Sequence, residues 1–214
     1  MKAVIFDMDG TMIDNMMVHH QAWQKKLETL GVNWTLEDVH QKVHGVNVEL
    51  LERIWPGKWS LEERQKISDE KEATYREIYT PELLPGLSSL LHALRGKNIL
   101  LGLGSAAPPE NVDFVMNELD LWHYFVSIRH SEHVQNGKPH PEVYNQILDE
   151  LDVSPQEALV FEDTPAGAEA AVRAGCKVVL VTTTHKKEEF AHLHQIVKFI
   201  NDFTELSAQE IMEL

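Results

Sequence analysis

Basic residues are scarce in this chain: 19 Lys and Arg stand against 34 Asp and Glu among 214 residues, a formal net charge of −15. A surface this acidic repels nucleic acid and anionic lipid, so neither is expected as a partner. Cysteine is rarer still. The single Cys176 excludes an internal disulfide and fits a reducing compartment. No hydrophobic run reaches the length of a membrane span. The apolar start, residues 1–6, is too short for a signal peptide and runs straight into carboxylates. A cytoplasmic location is the expectation. The shortage of positive charge has a further consequence: a site that accepts a phosphate ester must supply its own cation.

Hydrophobic residues, at 43%, suffice for one full core or for a core carrying a smaller insert. Short apolar runs at 2–6, 99–103, 125–128, 158–161, 178–181 and 197–200 read as buried strands. Helical patterns lie between most of them: 86–95, 110–119, 141–151 and 167–174, the last ending at Gly175. Ser154-Pro155-Gln156-Glu157 reads as a further helix start, with an N-cap and proline at the first position. Strands alternating with helices predict an α/β fold, a Rossmann-like parallel sheet covered on both faces. Residues 15–82 break the alternation, with helical patterns near 16–30, 36–43, 47–55 and 61–79 and no convincing strand. The last opens on Ser60-Leu61-Glu62-Glu63, a capping box. The predicted organisation is a catalytic core of 1–14 and 83–214 with an α-helical insert at 15–82.

Four short segments carry candidate chemistry, each at the C-terminal end of a predicted strand, where open α/β sheets gather their crevice. Asp7-Met8-Asp9-Gly10-Thr11 offers two carboxylates and a glycine turn that can bring both to one pocket. Such a pair can divide labour, one ionised as nucleophile and metal ligand, the other an acid and base. Ser105-Ala106 offers a hydroxyl and backbone N–H groups to phosphate oxygens. Gly137-Lys138-Pro139 holds an ammonium on a constrained turn. Glu162-Asp163 supplies more hard oxygen donors, which suit Mg²⁺. Two unit charges about 4 Å apart interact by roughly 4 kcal/mol at an effective dielectric near 20, and a phosphate dianion doubles that. A carboxylate attacking phosphorus therefore needs both a metal and a lysine.

Gly102-Leu103-Gly104-Ser105-Ala106-Ala107 also matches a dinucleotide-binding pattern. That reading needs a helix opening within the motif and an acid after the next strand. Pro108-Pro109 occupies the place of the helix, and the next predicted strand ends at Ile128-Arg129.

Taken in order, Asp7-x-Asp9-Gly10-Thr11, Ser105, Lys138-Pro139 and Glu162-Asp163 resemble the four motifs of the haloacid dehalogenase superfamily. Phe6–Asp14, Gly137-Lys138-Pro139-x-Pro141 and Phe161-Glu162-Asp163-x-x-Ala166-Gly167 are most similar to its β-phosphoglucomutase-like group, and the helical insert looks like that superfamily's C1 cap. The resemblance implies that Asp7 forms an aspartyl-phosphate and that Asp9 protonates the leaving group and then activates the acceptor. It implies Mg²⁺ bound by Asp7, the Asp9 carbonyl and Asp163, with Glu162 nearby. Lys138 and Ser105 would hold the phosphoryl group, with Thr11, Ala106, His19, His44 and Lys71 as further phosphate or substrate contacts.

Departures fall in the insert and after Ser105. His44 stands where the mutase carries lysine, Val48 where it carries the arginine gripping a distal phosphate, and Ala107-Pro108-Pro109 replace residues that help dock it. Valine cannot replace a bidentate, always-charged clamp. The expected activity is a Mg²⁺-dependent phosphatase of small phosphorylated metabolites, acting as a monomer or weak dimer, with a sugar-phosphate mutase as the alternative.

Overall fold

The computed structural model describes residues 1–214, and the chain divides into two compact units, Met1–Asp14 with Pro81–Leu214, and Asn15–Thr80. In the first unit six parallel strands form one sheet. They are β1 (Ala3–Phe6), β2 (Leu100–Gly104), β3 (Ser127–Arg129), β4 (Ala158–Glu162), β5 (Lys177–Val181) and β6 (Ile196–Ile200), in the order β3-β2-β1-β4-β5-β6. The second unit holds α1 (Met16–Thr29), α2 (Leu36–Lys42), α3 (Asn47–Ile54) and α4 (Leu61–Ile78). The chain then returns to the sheet unit through α5 (Leu87–Gly96), α6 (Pro109–Glu118), α7 (Glu142–Leu151), α8 (Pro165–Arg173) and α9 (Ala208–Glu213). None of these helices is long and apolar enough to cross a membrane.

The sheet order follows from burial. β1 and β4 are buried along their whole length, as central parallel strands covered on both faces must be. Along β1, Ala3 and Ile5 face a cluster with Val160, Tyr144, Ile147, Ala168 and Ala171, the inner faces of α7 and α8. Phe6 points the other way and stacks on Phe161, with centroids 5.0 Å apart and planes 8° apart. Phe203 and Phe125 complete that aromatic group at 6.1 and 6.2 Å from Phe6. The winding runs from β1 out to β3, then crosses back to β4 and on to β6. The switch point is therefore the C-terminal edge between β1 and β4.

Two local expectations are corrected, and one further helix is found. Ser154 does stand at the cap of a helix start with proline in its first turn, but that helix is a single 3-10 turn, Pro155–Glu157, and does not continue as an α-helix. Lys2 N–H bonds the Glu157 carbonyl at 2.7 Å and Ala158 pairs with Ala3, so the sheet claims the chain before a second turn can form. The third strand starts two residues late, at Ser127, because the Phe125 ring is taken into the aromatic group instead. The C-terminal helix α9, opened by a Ser207–Glu210 capping box, was not expected from so short a pattern.

In the helical unit, capping boxes at Thr35–Asp38 and Ser60–Glu63 open α2 and α4. Trp23, Leu27, Val39, Leu50, Leu51 and Ile67 form its core. The second chain crossing falls between Thr80 and Pro81, against the expected 82–83.

Candidate active site

Phe6 pairs with Leu103 on one side and Phe161 on the other, so the residues that leave the sheet at the switch point are Asp7, Gly104 and Glu162. Strand alternation puts Asp7 and Glu162 on the face covered by α7 and α8. Lys138, just ahead of α7, reaches that point from the side. Its Nζ donates to Asp7 Oδ1 at 2.6 Å, to Glu162 Oε1 at 2.6 Å and to the Gly104 carbonyl at 2.9 Å. The three donors of the ammonium are thus all used. The Lys138–Pro139 peptide is cis.

Glu162 is saturated. Its Oε1 also accepts from the Tyr144 hydroxyl at 2.8 Å, and its Oε2 accepts from Asp163 N–H, Thr164 N–H and Thr164 Oγ1. The carboxylate is pressed against the first turn of α8: a Cβ on Gly167 would sit 1.8 Å from Glu162 Oε1. Thr164 is the helix cap, accepting from Gly167 N–H, which leaves Asp163 free of that duty.

Asp163 lies close to Asp7. Thr11 Oγ1 donates to its Oδ1 at 3.1 Å, and Thr184 Oγ1 to its Oδ2 at 2.5 Å. Asp7, Glu162 and Asp163 each bring one carboxylate oxygen within 4.8 Å of the others'. Between Asp7 and Thr11 the chain doubles back sharply, with Met8 O accepting from Thr11, Met12 and Ile13 and Gly10 N–H bonding Ile13 O. Gly10 sits at φ +80°, and a Cβ there would meet Asp163 Oδ2 at 2.2 Å, so glycine is required on both counts. Asp9, half-buried, lies within this turn, just past the strand end.

The electrostatics follow from burial. Burial raises Asp7 well above the usual carboxylate range; Lys138 opposes the rise, while Glu162 and Asp163 add to it. Burial, then the charge of Glu162, pushes Asp163 up to about 7. Burial opposes the Lys138 charge, but Asp7 and Glu162 outweigh it and hold the ammonium well above its ordinary value. Glu162 stays below its ordinary value despite burial, because Lys138 and the hydrogen bonds stabilise its ionised form. Three buried carboxylates gather near one ammonium, which pairs with two of them, Asp7 and Glu162. That leaves excess negative charge among oxygen donors only, which is the donor set and charge of a hard divalent cation site.

Directly after β2 and Gly104, whose carbonyl accepts from Lys138, comes Ser105. Its N–H is spent on Arg129 O, and its Oγ accepts from Ala107 N–H at 3.0 Å, so its hydroxyl proton remains for an anion. Ala106 is exposed next to it. The dinucleotide reading fails here, since α6 begins only at Pro109, after the motif, and β3 ends at Arg129. Sequence reasoning missed Tyr144 and Thr184. Tyr144 read only as an apolar-face residue of α7, and Thr184 lies in a threonine run just past β5, where its place at a strand end was the available signal.

His19, His44 and Lys71 belong to the helical unit. Lys71, 2% exposed, donates from Nζ to His19 Nδ1 at 2.7 Å and to Glu72 Oε1 at 2.9 Å. Asn47 joins Glu72 at 2.7 Å, and the His19 ring stacks on Tyr75 with centroids 4.0 Å apart. His44 is exposed, and its carbonyl accepts from Arg53. Burial, with Lys71 and His20 beside it and only Glu72 opposing, pushes His19 from 6.5 down to about 3. The unfolded chain therefore binds a proton that the folded chain refuses between those values. The His19 contribution to stability should fall as pH drops from about 6.5 toward 3, by at most about 1.4 kcal/mol per pH unit, while the raised Asp7 and Asp163 act in the opposite sense. Denaturant unfolding at several pH values tests this. The stability difference between wild type and His19→Gln should move against the wild type as pH falls through this range, and a difference that stays constant would remove His19 as a contributor.

Comparison with known proteins gives a consistent picture. A family model described as haloacid dehalogenase-like hydrolase matches residues 1–175. A phosphorylated carbohydrates phosphatase of Thermotoga maritima is 34% identical over 180 residues, covering 82% of each chain. A beta-phosphoglucomutase of Bacillus subtilis is 32% identical, over 82% of this chain and 80% of its own. The crystal structure of a HAD hydrolase, family IA, variant 3 from Entamoeba histolytica superposes with a TM-score of 0.90 at 26% identity, covering 100% of this chain and 98% of that one.

Proposed function

Because the chain belongs to the haloacid dehalogenase-like hydrolase family, we propose that it hydrolyses phosphate monoesters of small sugars and related metabolites through an aspartyl-phosphate on Asp7. The observation that carries this is the convergence at the switch point: Asp7 Oδ1 is 2.6 Å from the Lys138 ammonium, and an Asp163 carboxylate oxygen lies within 4.8 Å of an Asp7 one. A phosphoryl group arriving at Asp7 meets one fixed cation, Lys138, and one hydroxyl donor, Ser105.

Mg²⁺ is the ion we propose, held by Asp7, Asp163 and the Asp9 carbonyl. When bound there it supplies charge neutralisation for the phosphoryl oxygens and keeps the Asp7 carboxylate ionised. Glu162, with its lone pairs engaged by five donors, acts as the anchor of Lys138 in this scheme. Thr11, its hydroxyl on Asp163, orients that carboxylate. Asp7 attacks phosphorus in line with the ester oxygen, Asp9 gives that oxygen its proton, and Asp9 then takes a proton from the water that cleaves the acyl-phosphate.

The 32% identical phosphoglucomutase keeps a second acceptor in play, the other hydroxyl of a sugar phosphate. Val48 supports water instead, because a mutase must retain a charged intermediate while it turns over, and valine offers it no hydrogen bond. Supplying β-glucose 1-phosphate with a bisphosphate primer separates the two. Free phosphate should exceed glucose 6-phosphate; isomer in excess of phosphate would make the chain a mutase.

A further inference from the structure

The loop that follows β5 contributes to the active site without belonging to any of its four motifs. Thr184 Oγ1 lies 2.5 Å from Asp163 Oδ2 and 3.2 Å from the Asp163 backbone carbonyl. Thr183, one residue earlier, donates from its hydroxyl to the Gly10 carbonyl. The Thr184 methyl packs against the same turn, 3.0 Å from where a Gly10 Cβ would stand. Two adjacent threonines therefore reach in opposite senses, one to the turn that carries Asp9 and one to the carboxylate after β4. From these contacts we infer that Thr184 is a positioning residue that sets the orientation of Asp163 for the divalent ion, with Thr183 tying the same loop to the Asp9 turn.

The physical reason lies in the terminal torsion of aspartate, which is broad and roughly two-fold when nothing holds it. Thr11 donates to Oδ1 and Thr184 to Oδ2, so each oxygen has one hydroxyl donor and keeps another lone pair for an ion. A hydroxyl on only one side leaves the plane free to swing about the remaining bond. Held on both sides, Asp163 meets the cation without losing further rotational freedom. Outer partners of this kind typically change metal affinity by about 10–100-fold when removed.

The inference rests on the metal-dependent phosphatase reading, and its test is chosen to fail separately from it. The purified full chain is stripped of metal and titrated calorimetrically with Mg²⁺ for wild type, Thr184→Val and Thr184→Ser. Valine keeps the shape and removes the hydroxyl; serine keeps the hydroxyl and removes the methyl. The dissociation constant should rise by about 10-fold or more in Thr184→Val and return to within about threefold of wild type in Thr184→Ser. Wild-type affinity in Thr184→Val would overturn the positioning role, as would a serine variant as weak as the valine one, which would assign the effect to methyl packing. Should Thr184→Val fail to fold, weakened binding in a folded Thr184→Ser overturns the role and retained binding supports it. A wild-type chain that takes up no Mg²⁺ would instead overturn the metal reading beneath it.

Discussion

Asp7→Asn should abolish phosphatase activity, by on the order of 10⁴-fold or more, while leaving the fold and its stability almost unchanged. The amide is nearly isosteric with the carboxylate, and its oxygen can still accept from Lys138, which sits 2.6 Å from Asp7 Oδ1. It is no nucleophile toward phosphorus. Stability should hold because the substitution removes one charge from a cluster of three buried carboxylates beside a single ammonium, and Glu162 keeps its pairing with Lys138. Asp7 is raised well above its ordinary range by burial and its acidic neighbours, so its charge opposes folding of the metal-free chain. Phosphate release from a generic aryl phosphate, with a thermal melt of the same preparation, measures both halves. Turnover near the wild-type rate would remove Asp7 as nucleophile. A collapsed melting temperature would make Asp7 a structural residue first.

Lys138→Met should be costly in both respects. The methionine stem fits the volume of the lysine but leaves Glu162 and Asp7 without their common cation. Removing one partner of a buried ion pair typically costs about 3–5 kcal/mol, because the remaining charge stays desolvated. Asp7 can escape part of that by taking up a proton. Glu162 cannot do so as easily, since Tyr144 and the Asp163 and Thr164 amides bond its ionised oxygens. Catalysis should fall by about 10²–10³-fold through loss of a fixed charge at the transferred group. The double variant Lys138→Met/Glu162→Gln separates the effects. It should recover part of the lost stability, since the orphaned charge is gone, and none of the activity. Equal stability in the single and double variants would show that Glu162 was not the source of the penalty.

Much of this site was legible before the fold was known, for one reason. Residues that end a buried parallel strand have few places to go, and at the switch point they meet. Asp7, Ser105, Glu162 and Asp163 could all be located in that way, and Lys138 by its fixed place between glycine and proline. Glu162 and Asp163 read alike from the sequence, as two adjacent acids. Their division, Glu162 toward Lys138 and Asp163 toward Thr11 and Thr184, depends on which side of the strand end each side chain leaves by. Tyr144 was hidden because a tyrosine on the apolar face of a helix looks like core until its hydroxyl has a partner, here Glu162. Thr184 was hidden because its partner lies 21 residues earlier, just past the end of the neighbouring strand β4. The short extent of the helix that starts at Ser154 has a related cause: local capping signals began it, and pairing of Ala158 with Ala3 ended it after one 3-10 turn.

The free thiol needs no functional account. Cys176 is buried, and burial pushes it up to about 12, far from the reactive thiolate range.

The central claim is that Asp7 carries the phosphoryl group between ester and acceptor. Its most direct test is to quench the enzyme in acid during turnover of a good phosphate ester and map the protein by mass spectrometry. Acid stabilises an acyl-phosphate long enough for its peptide to be found. The expected result is one added phosphoryl group on the N-terminal peptide, assigned to Asp7 and absent from Asp7→Asn. A phosphoryl group on another residue, or full turnover with no adduct at any quench time, would contradict it.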